Sequence, residues 1–135
     1  MESKIKHLEF IQGVVNRLST NSFLLKGWSV VLVSALFALS ASDSNPAFIF
    51  LAYFPAIVFW GLDGYFLWQE KLYRALYDRV RAMEDNAIDF SMDVSVVKDS
   101  VVNWATVAFS TTILAFHGVL LIAIIVVMLI ALLGG

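Results

Sequence analysis

The chain has 135 residues, 60% of them hydrophobic and only 15% charged, with a mean hydropathy of +0.82. Soluble domains carry about 25% charged and 45–50% apolar residues, so the composition excludes an ordinary soluble domain and points to a membrane protein. The net charge of −2 argues against a nucleic-acid-binding surface, and the lack of cysteine excludes disulfides, thiolate nucleophiles and cysteine-based metal sites.

Residues 1–21 lack the continuous apolar run and small-residue cleavage site of a signal peptide. Ile5, Leu8, Ile11, Val15 and Leu18 recur at spacings of three and four, which predicts an amphipathic helix. A first apolar run follows over 23–42, interrupted only by Lys26. About 20 residues suffice to cross roughly 30 Å of hydrocarbon as a helix. Gly27, Ser34, Ala38 and Ala41 give this span a small-residue face suited to close helix approach. The stretch "SDSNP" then carries strong turn chemistry.

A second apolar run covers 47–68, with Asp63 its one charge and Pro55 a predicted kink. It leads into an amphipathic extension over 69–85, where Leu72, Tyr73, Leu76, Val80 and Met83 form one stripe and Lys71, Arg74, Asp78 and Arg81 the other. The two amphipathic stripes need cover from each other, from a neighbouring subunit or from the bilayer surface. Residues 86–100 read as an acidic linker. The spacing of Asp85, Asp89 and Asp93 does not fit a calcium loop, so no metal site is expected there. From Ser100 onward nothing is charged. As one straight helix, 101–133 would be about 50 Å long, too much for one crossing, so the third span is predicted at about 112–133.

Of the nine Lys and Arg, Lys4, Lys6 and Arg17 precede the first span, Lys26 sits at its start, and the other five lie between the second and third. The positive-inside rule then predicts a cytoplasmic N-terminus, a cytoplasmic 69–100 segment and an external C-terminus. The expected fold is an all-α membrane protein: three transmembrane helices with amphipathic cytoplasmic helices, in a single membrane domain.

Asp63 lies one to two turns inside the predicted cytoplasmic interface, where a carboxylate needs a partner. Lys26 is the first candidate; a water-filled vestibule lined by Asp63 is the alternative. In the third segment Asn103, Thr106, Ser110 and His117 share one helical face, continued by Leu121, Ile124 and Met128. Two readings stay open: helix–helix glue, or a pore lining closed by an apolar gate. No nucleophile–base set, phosphate loop or metal motif occurs, so neither catalysis nor a cofactor is expected.

The strings "NSFLLKGW", "LDGYFL" and "LYRALYDRVR" resemble those of a widespread family of small, uncharacterised bacterial inner-membrane proteins, over about residues 6–95. By architecture alone the chain is similar to the RipA family and to oligomeric membrane effectors of antiphage systems. The resemblance implies a homo-oligomer in the bacterial inner membrane that forms a pore or perturbs the membrane. It is also the sole source of an antiphage role, with an unidentified cytoplasmic protein as trigger. The alternative is a non-conducting scaffold that recruits a cytoplasmic partner. In both cases the partners are the lipid bilayer and further copies of the chain, not nucleic acid.

Overall fold

The computed structural model describes residues 1–134. Among these, 87% are helical and none is in a strand. Three helices are long and apolar enough to cross a membrane: α1 (Glu2–Asp43), α2 (Ala47–Arg81) and α4 (Thr111–Gly134). A short helix, α3 (Trp104–Ala108), precedes α4, and two 3-10 turns, Asp85–Ala87 and Val94–Ser100, lie between α2 and α3.

The amphipathic helix expected over 1–21 and the span over 23–42 are one continuous rod. No Gly or Pro breaker separates them: Gly13 is tolerated within the helix, where an added Cβ would meet only the tip of Arg17. The same holds for the second span and its extension, where α2 runs through Pro55 to Arg81. The two rods form an antiparallel hairpin. Its turn is built by the predicted "SDSNP" chemistry. Ser44 adopts a left-handed conformation (φ 53°, ψ 36°) and its N–H caps the Ser40 carbonyl. Ser40 Oγ donates to the Asn45 carbonyl at 2.9 Å, and Asn45 Oδ1 accepts from the Ala47 N–H at 3.0 Å.

Two separate apolar clusters hold the hairpin. At the end nearer the chain start, the stripes of the two rods cover each other: Ile11, Leu76, Val80 and Val97 are buried, with Leu8, Tyr73 and Met83 around them. Ile5, by contrast, stays exposed. The segment expected as an acidic linker closes this cluster through Val97, and its turns are fixed by Asp89 accepting from the Ser91 N–H and Asp93 from the Ser95 N–H. At the other end, Val33, Ile49, Ala52, Ala56 and Ile124 join α1, α2 and α4, with Leu120 and Met128 packed alongside. The small-residue face of α1 is not part of either cluster. Gly27, Ser34, Ala38 and Ala41 are all exposed, and a Cβ added to Gly27 would meet nothing. The α1 face turned to α2 is Ser29, Val33, Leu36 and Phe37 instead.

The stretch 101–133, whose shared polar face assumed a single helix carrying the span at about 112–133, is broken into two helices. α3 ends at Phe109, and α4 starts afresh as Ser110 accepts from the Leu114 N–H at 2.8 Å. The physical reason is twofold. The uncharged stretch is too long for one crossing, and α3 is pinned sideways onto α2 by two tryptophans. Trp60 Nε1 donates to the Ala108 carbonyl at 2.8 Å, and Trp104 Nε1 donates to the Gly61 carbonyl at 3.0 Å. Gly64 makes the contact possible, since a Cβ there would lie 2.9 Å from Ala108 Cβ and 3.0 Å from its Cα.

Candidate functional site

The tryptophan clasp sets α4 against α2 beside Asp63. That carboxylate is fully buried, and it is shared by all three membrane-length helices. From α1, Lys26 Nζ lies 2.6 Å from Asp63 Oδ2 and Ser22 Oγ donates to Asp63 Oδ1. From α4, His117 Nε2 lies 2.7 Å from the same Oδ2. Lys26 Nζ also donates to Ser22 Oγ at 2.9 Å.

Helical spacing explains the α1 contribution. Ser22 and Lys26 are four residues apart, hence on one face, and Ser29 and Val33 continue that face. The aromatic residues wall the cluster. Trp60 stacks on the His117 ring at 6.2 Å and 7°, Phe116 meets His117 edge-on at 5.0 Å, and Lys26 Nζ sits 5.9 Å from the Phe116 centroid. Phe109 packs edge-on against Trp60.

Hydrogen-bond roles follow from the chemistry. A carboxylate only accepts, so His117 must carry its proton on Nε2. Beside that bond, one lysine stands against one aspartate. His117 Nδ1 is left buried without a partner, and so are Ser29 Oγ and Ser110 Oγ. The Lys26 side chain is about one quarter exposed, whereas those of Asp63 and His117 are shut away from solvent.

Ser, His and Asp together invite comparison with a hydrolytic triad, and the geometry differs from one. In a triad the serine is bonded to the imidazole and the carboxylate orients the far nitrogen. Here Ser22 is bonded to the carboxylate, and the nitrogen of His117 that could take a serine proton has no hydrogen-bond partner. The set ties α1, α2 and α4 together at one carboxylate.

The residues singled out as a polar stripe do not line one surface. Asn103 and Thr106 are exposed and bond each other: Asn103 caps α3, its Oδ1 accepting from the Thr106 N–H at 2.9 Å and from Thr106 Oγ1 at 2.8 Å. Ser110 sits at the bend, and His117 is turned into the subunit. Of the apolar continuation, Ile124 is fully buried against α2, Met128 Sδ accepts from the Tyr53 phenolic OH at 3.3 Å, and Leu121 is half-buried. The bend at 109–110 rotates Asn103 and Thr106 off the face that carries His117.

Lys26 and Asp63 were recognisable in the sequence as opposed charges at similar depth. His117 and Ser22 as their companions were not, although one signal existed. Asp63 lies five positions before Trp68 and His117 five after Thr112, which places two isolated ionisable groups at matching distances from the predicted interface.

A second buried histidine, His7, lies in the other cluster. Its Nε2 is 2.8 Å from the Ser91 carbonyl, and Phe90, at a positive φ of 56°, tilts over its ring at 5.5 Å. It ties the loop to α1, well apart in sequence from Asp63. Comparison with protein-family models, with curated proteins and with solved structures finds no match for this chain.

Proposed function

We propose that the protein is a homo-oligomeric bacterial inner-membrane protein that acts as a pore-forming or membrane-perturbing effector, held at rest by the Asp63 cluster. One observation carries this reading: a buried Lys26–Asp63–His117 network ties three membrane-length helices at one point. Buried ion pairs are poor stabilisers, and well-packed apolar replacements are often neutral or better by about 1–4 kcal/mol. An intramembrane charge network is therefore better explained by a task that needs two arrangements, paired and released.

The Lys and Arg asymmetry supports a cytoplasmic N-terminus and hairpin end and an external C-terminus. The half-exposed Phe10 and Phe90 at that end offer a surface to a cytoplasmic trigger protein. Because His117 and Ile124 face α2 in the resting subunit, a conducting path would run between subunits or follow release of the network. No catalytic step or cofactor enters this reading, and an antiphage role rests on the architectural resemblance alone.

A non-conducting scaffold is the second reading. It is favoured by the hairpin end, whose apolar stripes are satisfied on each other and leave a mixed-charge surface for recruitment. Ion flux from liposomes loaded with equal amounts of wild type, Asp63→Asn and Leu121→Ser separates the two. The effector reading expects Asp63→Asn to leak well above wild type. Equal background flux from all three would favour the scaffold. Native mass spectrometry in mild detergent should find four or more subunits.

A further inference from the structure

We propose that the groove between α1 and α4 at the turn end of the hairpin binds one acyl chain of a phosphatidylethanolamine, whose ammonium pairs with Asp43. The site lies apart from the Asp63 network and does not depend on whether the protein conducts.

The groove follows from how the three long helices pack. α1 and α4 each rest chiefly on α2 and touch one another little. They meet where Val33 and Ile124 share a cluster with Ile49, Ala52 and Ala56. Past that point, toward the Ser44–Pro46 turn, a groove of about 430 Å³ opens between them. Phe37 and Ala41 of α1 form one wall, Val127 and Ala131 of α4 the other, and Ile49 of α2 the floor. Ala41 and Ala131 leave it open, because each has only a methyl group to fill it. Ser40, the polar residue inside, already donates its hydroxyl to the Asn45 carbonyl at 2.9 Å. The interior is therefore apolar and offers water no good partner.

All three helices are long and apolar enough to cross a membrane, so such a groove opens onto hydrocarbon. Left empty, its lining would forfeit dispersion contacts. Size selects the occupant. At about 30 Å³ per water-sized group, the groove has room for on the order of 14 methylenes, which is one acyl chain and not two. Ten residues line it, whereas a stable interface between protein copies takes about 20–30 on each side. The groove alone is too small to seat a second copy.

Charge selects the headgroup. No Lys or Arg occurs between Lys26 and Lys71 or after Lys98, so the turn end has no cation to hold a phosphate. Its one charged side chain among the described residues is Asp43, exposed and next in the chain to Ser44 at the mouth of the groove. A primary ammonium can donate a charge-assisted hydrogen bond to that carboxylate. The trimethylammonium of phosphatidylcholine has no N–H to donate, and phosphatidylglycerol would bring a second negative charge. The expected order is ethanolamine, then choline, then glycerol.

The test offers the full chain in mild detergent an equimolar mixture of these three phospholipids with identical acyl chains, and counts the lipids retained by native mass spectrometry. Wild type should keep one phosphatidylethanolamine per chain after a detergent wash. Ala131→Phe fills the groove from α4 and Ala41→Phe fills it from α1, and both should lose that lipid. Ile122→Phe, at an exposed position on the far side of α4, should keep it. Asp43→Asn should lower the preference for phosphatidylethanolamine over phosphatidylglycerol about three-fold, the size of one exposed ion pair. Wild type that retains no lipid overturns the proposal, and so does retention that is equal in wild type and in both filled variants. A changed subunit number in the filled variants with an unchanged lipid count would make the groove a contact between copies and overturn it as well. A preference that Asp43→Asn does not move overturns the headgroup assignment. None of these readouts involves ion flux, so failure here and failure of the effector reading are told apart.

Discussion

Removing Asp63 tests the pairing at the centre of the site. In Asp63→Ala, Lys26 and His117 lose their common acceptor at once. Breaking a buried ion pair by deleting one partner costs about 3–5 kcal/mol, most of it the stranded charge. The two ends of this pair strand differently. Lys26 is partly exposed and can turn to water, so Asp63→Ala should fall at the low end, about 3 kcal/mol. Lys26→Ala leaves a fully buried carboxylate with only Ser22 and His117 as partners, so it should cost more, about 4–5 kcal/mol. The double variant strands no charge and should be less damaged than the sum by about 2 kcal/mol or more, against a tolerance of about 0.5 kcal/mol for independent sites. Reversible unfolding in mixed micelles, titrated with a denaturing detergent, gives all four corners of the cycle. Additive losses, or Asp63→Ala costing clearly more than Lys26→Ala, would refute the reasoning from burial.

Three further outcomes can be checked directly. Gly64→Ala places a Cβ against the Ala108 backbone, so it should cost about 1–3 kcal/mol by overpacking and be relieved by Ala108→Gly, whereas Gly61→Ala, whose Cβ would lie 3.7 Å from Trp104, should be tolerated; melting in detergent ranks them. The Ser95 N–H, donating to Asp93, holds that exposed carboxyl below its ordinary range, so its ordering of the loop is present above the usual carboxylate value and lost as pH falls through the lowered one; hydrogen exchange at Ser95 should accelerate below about pH 4 and be fast at all pH in Asp93→Ala. A reporter fused at Gly135 should be active only outside the cytoplasm, and cytoplasmic activity would mean an inverted chain or an even number of spans.

The three membrane-length helices were legible because apolar length is a local signal, and so was the turn at Ser44–Pro46, whose residue types state their own geometry. The mutual cover of the two amphipathic stripes was one of three options open in the sequence, and the structure selects it. The polar stripe misled because helical periodicity holds only while the helix does. Nothing between Trp104 and Thr112 is a Gly or Pro, and the bend at Phe109 goes with two bonds to α2, Trp60 to Ala108 and Trp104 to Gly61, each between residues 43 or more apart in sequence. Asn103 is a helix cap first, which its residue type allowed and its place in a periodic row obscured. His117 became a ligand of Asp63 through packing of α4 on α2, and a single sequence carries that only as matched depth.

The three-residue turn and the shared carboxylate also bear on how the chain reaches its membrane. α1 leaves the ribosome first and brings Lys26 with it, so the cation is in place before Asp63 is made. A tight connection at Ser44–Pro46 lets α2 follow as the second arm of a hairpin, and Asp63 can be neutralised as it partitions rather than afterwards. His117 arrives last, on a segment whose insertion needs no help, being the most apolar of the three. Biogenesis is then ordered by the charge ledger of one site: α2 is the arm whose integration depends on a helix already synthesised, and a chain lacking Lys26 should show its first defect at the translocon, before folding begins.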